Sequence, residues 1–516
     1  MTFLNKFKLE PLDFKANETT MLFCLFIIYC INHGWIFLIS GALFWDDWTL
    51  FGSSTNLINE IYDDQGSVFN INGIIHNSLL LIGPWSYRLL TFVLLFCTGL
   101  ALNEVLKKHA IFNLEARFII LILYLTLPFY MARVALIVMP YTISIFLFFL
   151  AWALIERNKV LAMFLFFLSF NTNSLLVFYA LPFFDFFYRT EQNISFISFI
   201  KFSLKKIYLV ALPFVYFAIE VFMYPPSGIF QGYNDQFSFI SLLISPISMF
   251  WNLMNLEINI FLFLSVVLIL SFSSAFKKVS NNLEISVDGM NLFMLGLLIF
   301  ILGGFAYWIL GHTPAFNSWN SRHQLLLSFG TSIMIFSLIN FSRNSAREMI
   351  LLTFLSIFLI SNLLSYKEFY VDWKKQKNLI EIFSQNDVLK DSDLIIFHDK
   401  TQGFNAFNRD YDIYEWNGLL VQAFNDEKRL GLDNERYQKL IDGTLFFGYV
   451  VQPHKYKASQ FDFSKDINIT EIILKPESKN SKYREILMSL SPRFSIEILS
   501  LDKKKLELNN YANKEE

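Results

Sequence analysis

Cysteine and charge are both scarce in this sequence. Only three of its 516 residues are cysteines, Cys24, Cys30 and Cys97, and all three fall inside long apolar segments, so the hydrophilic part of the chain has no disulfide framework. Charged residues make up 17% of the chain and the formal net charge is −2, which gives no reason to expect a nucleic-acid partner. The sequence also lacks a glycine-rich loop of the nucleotide-binding type. His76 and His312 have no His or Cys at metal-ligand spacing, which argues against a zinc site.

Apolar residues, in contrast, are abundant. They make up 54% of the chain, with 60 phenylalanines and a mean hydropathy of +0.43. Several apolar runs approach or reach the ~20 residues that a helix needs to cross a bilayer. The pattern predicts a polytopic α-helical membrane protein with about eleven spans that contact membrane lipid. The predicted spans are roughly 20–43, 86–105, 115–130, 139–155, 160–171, 173–188, 207–223, 255–276, 290–311, 323–342 and 348–364.

The distribution of basic residues predicts how these spans are oriented. With the N-terminus inside, the predicted cytoplasmic segments hold sixteen lysines and arginines, whereas the opposite face up to residue 364 holds three. Because short cytoplasmic loops are enriched in basic residues, we expect the N-terminus in the cytoplasm and the C-terminus outside. The abundance of Phe, Ile, Asn and Lys is typical of an AT-rich bacterial genome. The expected location is therefore a bacterial cytoplasmic (inner) membrane.

The character of the chain changes near residue 365, where charged residues become frequent. Residues 1–364 are predicted to form a transmembrane catalytic module, and residues 365–516 a small extracytoplasmic α/β domain, since about 145 residues suffice for an independent core. Its predicted helices are Asp372–Leu389 and Tyr414–Phe424, and its predicted strands are Leu394–Phe397, Ile467–Leu474 and Phe494–Leu501.

The most informative motif is Trp45-Asp46-Asp47-Trp48, which directly follows the first long apolar segment. Two adjacent carboxylates at the mouth of a span are costly to bury, and here they stand among aromatic residues typical of the bilayer boundary. Either Asp46 or Asp47 can serve as a general base that takes a proton from an acceptor hydroxyl. In the simpler alternative, the pair only caps the N-terminus of a helix.

Other polar motifs gather in the predicted outer loops. A membrane-anchored phospho-sugar presents its phosphate at headgroup level, and arginines suit a phosphate because of their forked geometry. The candidate phosphate- and substrate-binding residues are Arg88, Arg133, Arg322, His323, Tyr233 and Asn234. Simpler interpretations remain open for each: arginines that snorkel to headgroups, a start-of-span anchor at 322–323, and a turn rich in proline and glycine at 224–234.

These features together resemble the GT-C superfamily, the integral-membrane glycosyltransferases that use polyprenyl-phosphate sugars. The string Phe44-Trp45-Asp46-Asp47-Trp48 is most similar to bacterial members near the O-antigen glucosyltransferases, and the likeness in layout covers roughly residues 20–364. It implies inverting transfer of a sugar from a polyprenyl-phosphate donor to a surface glycan, lipid or protein. It also implies that one of Asp46 and Asp47 is the base, while the other orients the substrate or a divalent cation, Mg²⁺ or Mn²⁺. The chain departs from the commoner acidic-x-acidic pattern, which leaves open which aspartate acts and whether a metal is used.

Two alternatives remain. An O-antigen polymerase or ligase also acts on lipid-linked sugars at the outer face and relies on arginine and histidine, but its donor is a diphosphate-linked oligosaccharide. A flippase or transporter for such lipids needs a polar path between helices and near-twofold repeats, and the sequence offers neither clearly. The nature of the donor separates the first alternative from the transferase.

Overall fold

The computed structural model is 70% helical. It describes residues 18–191, 194–232, 237–254, 289–312, 315, 318–342, 344–442, 457–462, 465–477 and 492–504. The predicted span 255–276 and the candidate residues Tyr233 and Asn234 lie outside the described residues.

The helices begin and end as follows. In chain order they are α1 (Glu18–His33), α2 (Asp47–Leu50), α3 (Thr55–Asp64), α4 (Ile71–Leu80), α5 (Pro84–Leu106), α6 (Leu114–Thr126), α7 (Met139–Leu154), α8 (Lys159–Ser169), α9 (Ser174–Phe178), α10 (Ala180–Thr190), α11 (Phe196–Lys205), α12 (Ile207–Met223), α13 (Phe239–Met254), α14 (Gly289–Trp308), α15 (Leu327–Phe341), α16 (Asn344–Ser384), α17 (Asp387–Lys390), α18 (Ile413–Phe424) and α19 (Asn434–Ile441).

Four helical segments of the described chain are long and apolar enough to cross a membrane. They are Glu18–Ile39, Pro84–Leu106, Gly289–Trp308 and Ala346–Ser384. Helices α11 and α12 meet at 70° and add a fifth span if the bent pair is counted as one. The prediction of a helical membrane protein is therefore supported, whereas the count of eleven spans is not confirmed.

Local sequence explains why several predicted spans are shorter than expected. The predicted span 115–130 is helical only to Thr126, because Pro128 disfavours helical backbone in the residue before it. The predicted boundary between the spans 160–171 and 173–188 is present, since α8 ends at Ser169 and α9 begins at Ser174, and a further break at Tyr179 divides the second of them into α9 and α10. Asparagine side chains compete for backbone hydrogen bonds and thereby favour turns over helix.

Helix α16 crosses the predicted domain boundary at residue 364 without a break. Its 41 residues correspond to a length of about 60 Å at 1.5 Å per residue. The predicted helix Asp372–Leu389 is therefore the second half of α16 together with α17, rather than a separate element. This continuous helix ties the C-terminal residues to the membrane part.

A small four-stranded sheet forms the C-terminal part, as predicted. The strands are β1 (Leu394–Asp399), β2 (Leu430–Asp433), β3 (Ile467–Pro476) and β4 (Phe494–Lys504). The order is β2-β1-β3-β4, in which β1 lies parallel to β2 and β3, and β3 pairs with β4 in the antiparallel sense. The predicted strands correspond to β1, β3 and β4, and α18 confirms the helix predicted at Tyr414–Phe424; sequence analysis missed β2.

The C-terminal part packs directly on the loop that follows α1. Trp48 and Leu43 from that loop share an apolar core with Trp416 and Leu419 of α18. The approach is close at Gly418, where an added Cβ would lie 2.1 Å from the Trp48 ring. The segment that carries the acidic pair is therefore held between the helical bundle and the C-terminal domain.

The interhelical loops divide into two groups. Segments predicted to be cytoplasmic are joined by ion pairs of Glu18 with Lys107 (2.7 Å) and with Arg117 (3.3 Å). Predicted outer loops and the adjoining ends of predicted spans line a common cavity instead, in the segments 46–72, 137–141, 171–174, 216–230, 306–312 and 319–323. The alternation of the helices across a membrane and the assignment of one end to the cytoplasm stay predictions from charge.

Candidate functional site

The cavity has a volume of about 500 Å³ and lies where the predicted outer loops meet. Three charged side chains, each from a different part of the chain, line the cavity: Asp46, Glu220 and Arg322. The other polar lining residues are Tyr62, Gln65, Ser67, Asn72, Tyr141, Asn171, Thr172, Asn173, Ser174, Tyr216, Tyr307, His312 and His323. The cavity therefore combines one permanent cation and two acids with a wall of neutral amides and hydroxyls.

The local backbone turns Asp46 towards this cavity. Trp45 has a φ of +52°, a left-handed conformation that is unusual for a bulky residue and persists only where packing enforces it. The enforcing contacts are with the rings of Trp319, at 5.0 Å, and Phe369, at 5.6 Å. Burial raises the pKa of Asp46, while a hydrogen bond with Tyr414 and the charge of Arg322 oppose the rise.

Asp47 has a different environment from Asp46. It is completely buried, and its two carboxylate oxygens accept backbone N–H groups from Phe44 at 3.0 Å and from Ile137 at 2.9 Å. Burial raises its pKa to about 7, against the opposing effects of Arg88 and of backbone N–H groups. Asp47 thus fastens the loop after α1 to the loop before α7, and it does not line the cavity.

Arg88 and Arg133, predicted as phosphate ligands, are also outside the cavity lining. Arg88 is 1% exposed and donates to the carbonyl of Ala42 at 2.9 Å. Arg133 is 4% exposed and lies 3.0 Å from His33 and 3.2 Å from the side-chain oxygen of Asn362. Arg88 thus connects α5 to the loop after α1, and Arg133 connects the loop before α7 to α1 and α16.

Arg322, in contrast, lies in the cavity wall beside His323, while the role of the two residues in phosphate binding stays a prediction. The Arg322 guanidinium stacks on Trp319, 4.5 Å from the ring centroid, and its Nε donates to His323 Nε2 at 3.2 Å. Since Trp319 also packs on Trp45, one stack of rings connects the guanidinium to the acidic loop. The aromatic support fixes the arginine and leaves its planar end available to an anion.

The histidines next to Arg322 are neutral. Burial and the adjacent guanidinium lower the pKa of His323 to about 2, and they also lower the pKa of His312, whose ring stacks on His323 at 4.5 Å. Because Nε2 of His323 accepts from Arg322, the proton of the neutral ring belongs on Nδ1. Nδ1 is buried and has no partner among the described residues, so it is a donor suited to a ligand oxygen.

The opposite side of the cavity is rich in amides. Asn171 donates to Asn72 at 2.5 Å, and Asn173 donates to Glu220 at 2.7 Å. Within the described chain, the hydroxyls of Thr172 and Tyr62 are buried without a hydrogen-bond partner. Unpartnered polar atoms are uncommon in buried positions, and several in one wall indicate that a hydrogen-bonding ligand completes them. Sequence analysis missed Tyr62, Thr172 and Glu220, because only the folded chain brings their distant loops together.

The metal-binding prediction for Asp46 and Asp47 stays untested. The described residues contain no group of three or more His, Cys, Asp or Glu side chains placed to hold a metal ion. Both oxygens of Asp47 already accept backbone hydrogen bonds, which leaves Asp46 as the member of the pair that reaches the cavity. A cation there would need its remaining ligands from the substrate, such as phosphate oxygens.

His76 supports the cavity wall from behind and should make the fold sensitive to acid. Its ring stacks on Tyr62 at 5.1 Å, its Nδ1 lies 3.0 Å from the Tyr87 hydroxyl, and it is completely buried. Burial lowers the pKa of His76 to about 3, whereas a histidine in the unfolded chain has a pKa of about 6.5. Below about pH 6.5 the unfolded chain therefore binds a proton at His76 that the folded protein does not bind. Stability should therefore fall as pH falls, by about 2 kcal/mol from this residue between about pH 6.5 and 5.

Unfolding temperatures measured across this pH range for the wild type and for His76→Gln check this prediction. At about pH 6.5 the His76→Gln variant should be less stable than the wild type. Between about pH 6.5 and 5 it should lose less stability than the wild type loses. Equal losses in the two proteins would show that His76 does not titrate on unfolding in the expected way.

Comparison with models of protein families, with curated proteins and with solved structures finds no match for this chain. Function therefore has to be inferred from the chemistry of the cavity itself.

Proposed function

We propose that the protein is a membrane glycosyltransferase of the GT-C kind. It would take a sugar from a polyprenyl-phosphate donor and pass it, with inversion, to a hydroxyl of a surface glycan, lipid or protein at the outer face of a bacterial cytoplasmic membrane. Asp46 would be the general base and Arg322 the main ligand of the phosphate. The observation that carries the proposal is that Asp46 and Arg322, 276 positions apart in the chain, line one cavity.

The roles follow from charge and protonation. An inverting transfer forms a bond between the acceptor oxygen and the anomeric carbon while the bond from that carbon to the phosphate oxygen breaks. The acceptor proton goes to the Asp46 carboxylate, and the polyprenyl phosphate leaves with the bonding electron pair. Arg322 would stabilise that departing anion, and the Nδ1–H of neutral His323 would supply a further hydrogen bond.

The amide wall supports a sugar as the ligand. A monosaccharide presents several hydroxyls that both donate and accept, and side-chain amides and hydroxyls match that mixture. Asn171, Thr172 and Asn173 lie on one short turn between α8 and α9, so three such groups come from consecutive residues. The volume of about 500 Å³ is within the range of cavities that hold small-molecule ligands.

The surroundings of the cavity support a lipid-linked donor. Phe217 of α12 lines the cavity and is also 54% exposed. One turn further along, Val221 is 45% exposed on the same apolar helix. The cavity thus adjoins an apolar outer surface, where the polyprenyl chain would lie while the phosphate and sugar occupy the polar interior.

A donor panel tests the proposal. Purified protein in lipid vesicles is incubated with polyprenyl-phosphate monosaccharides and envelope extract as a source of acceptor, and free polyprenyl phosphate is measured. We expect release from at least one monophosphate-linked sugar. Release only from a diphosphate-linked oligosaccharide would favour a polymerase or ligase, and movement of intact lipid without release would favour a transporter; either result would overturn the proposal.

Replacing Arg322 should weaken donor binding and transition-state stabilisation together. Arg322→Ala removes the cation, and a charge-assisted contact with phosphate contributes about 1.5–3 kcal/mol, so kcat/KM should fall by a factor on the order of 10 to 100. Arg322→Lys should recover only part of the loss, because lysine lacks the fork and the flat face that stacks on Trp319.

The matched control is Arg157→Ala, which removes an arginine whose side chain is 72% exposed at the other group of loops. Its transfer rate should equal that of the wild type. Equal losses in the Arg322 and Arg157 variants would mean that the effect comes from overall charge and not from the cavity.

A further inference from the structure

The C-terminal domain reaches the candidate base. We infer that Tyr414 of α18 is a positioning residue for Asp46, so that the C-terminal domain contributes to catalysis by supporting the candidate base. The inference rests on the proposed function, in which Asp46 takes the acceptor proton. It adds a residue and a role that sequence analysis did not assign, since the C-terminal domain had no identified function.

The first step is the contact itself. The contacts of Arg409 with Trp45 and of Gly418 with Trp48 place the N-terminal turn of α18 against the segment that carries Asp46, and the Tyr414 phenol there favours the ionised form of the Asp46 carboxylate. This influence of the phenol opposes the effect of burial.

The second step is the rigidity of the tyrosine. Tyr414 is the second residue of α18, whose N-terminus is closed by a capping box between Asp412 and Glu415. Arg409 forms a two-bond ion pair with Glu415 and lies 5.2 Å from the Trp45 ring centroid. The helix end that carries the phenol is thus attached to the residue directly before Asp46.

The third step is the closeness of the two parts. The Trp48 ring lies against Gly418, where a Cβ would come within 2.1 Å of it. The side chain of Gln376 in α16 donates to the carbonyl of Leu43 at 2.9 Å. These contacts fall on both sides of Asp46, so the C-terminal domain fixes the whole loop and not only one side chain.

Other charged groups also face Asp46. Arg322 favours its ionised form, while the carboxylates of Asp412 and Glu415 disfavour it. Tyr62, from α3, faces it as well. Asp412 and Glu415 are themselves paired with Arg436 and Arg409, which limits their effect. Tyr414 can be changed without altering the charge of the site, and unlike Tyr62 it does not line the cavity.

The test is the pH dependence of transfer by Tyr414→Phe, with the polyprenyl-phosphate monosaccharide that the wild type uses fastest. Loss of the phenol should make Asp46 harder to ionise, and a hydrogen bond to a charged group is strong enough to move the acidic limb of kcat/KM to higher pH by about one unit. A tyrosine that served only packing would lower the rate equally at every pH. An unmoved limb would overturn the inference.

Two further measurements keep the result interpretable. Gly418→Ala should reduce transfer by pushing α18 away from Trp48, whereas Gly403→Ala, with nothing closer to its Cβ than 4.0 Å, should not. Unfolding temperatures of Asp46→Asn, Tyr414→Phe and the double variant should be non-additive, which needs no substrate. Additive changes in unfolding temperature would contradict an interaction between Asp46 and Tyr414.

The outcomes separate this inference from the proposed function. If Asp46→Asn transfers sugar at the wild-type rate, the proposed function fails. If Asp46→Asn is inactive while Tyr414→Phe keeps the wild-type pH profile, the role of Tyr414 alone fails.

Discussion

Asp46→Asn should lower the transfer rate by a factor of about 10² to 10⁴ and leave the protein folded. This is the contribution that a positioned general base makes to a reaction, and asparagine cannot accept the acceptor proton. Because Asp46 lies at the cavity wall and not in the core, the substitution preserves shape and removes only the ionisable oxygen. The measurement is kcat for sugar transfer in vesicles, with the unfolding temperature recorded for the same preparation.

The control for this prediction is Asp64→Asn. Asp64 is another acid of the long loop between α1 and α5; it accepts the backbone N–H of Ser227 through its carbonyl at 2.8 Å and the Ser227 hydroxyl through its side chain at 3.1 Å. Asparagine retains a side-chain acceptor there, so the transfer rate should stay near that of the wild type. A comparable loss in both variants would point to a general effect of loop charge and against Asp46 as the base.

Asp47→Ala should lower the free energy of unfolding of the protein by roughly 3 to 5 kcal/mol. The substitution leaves the buried N–H groups of Phe44 and Ile137 without acceptors and removes the carboxylate that faces Arg88. Asp47→Asn should be intermediate, because its amide retains one acceptor oxygen but places an NH₂ group where the second oxygen was. Chemical or thermal unfolding in detergent measures the difference.

The neighbouring residues Asp46 and Asp47 are expected to respond differently to the same substitution. Asp46→Asn should leave stability nearly unchanged and activity low, whereas the remaining folded fraction of Asp47→Asn should retain measurable transfer. A protein with Asp47→Ala as stable as the wild type would contradict the structural role. Full transfer by Asp46→Asn combined with complete loss in well-folded Asp47→Asn would reverse the two assignments.

Sequence analysis could identify the acidic pair but could not divide its roles. Asp46 and Asp47 have the same chemistry and the same position relative to the first apolar segment. Their difference arises from the left-handed backbone at Trp45 and from the N–H of Ile137, which lies 90 positions away from Asp47. Contacts of this range leave no periodic pattern in the sequence.

The arginines illustrate the same limit. Charge scarcity on the predicted outer face drew attention equally to Arg88, Arg133 and Arg322. The structure places only Arg322 in the cavity wall, while the other two are buried among helices and carbonyl groups. A charged residue near the end of a span can serve either purpose, and only the packing of neighbouring helices decides between them.

The elements of the C-terminal domain were easier to predict than its place in the fold. Period-two alternation and the capping residues of α18 are local signals, and they located three strands and one helix. The continuity of α16 across residue 364 and the packing of Gly418 on Trp48 depend on the whole fold. The sequence therefore suggested two separate modules, although the second packs on the loop that carries Asp46.

The most direct test of the central claim is the release of free polyprenyl phosphate by the wild type and by Asp46→Asn. Both proteins are reconstituted in vesicles with polyprenyl-phosphate monosaccharides and envelope extract, after equal unfolding temperatures have been verified. The account predicts acceptor-dependent release by the wild type and a loss of at least about 100-fold in the variant. Release at equal rates by the two proteins, or no release from any monophosphate-linked donor, would contradict it.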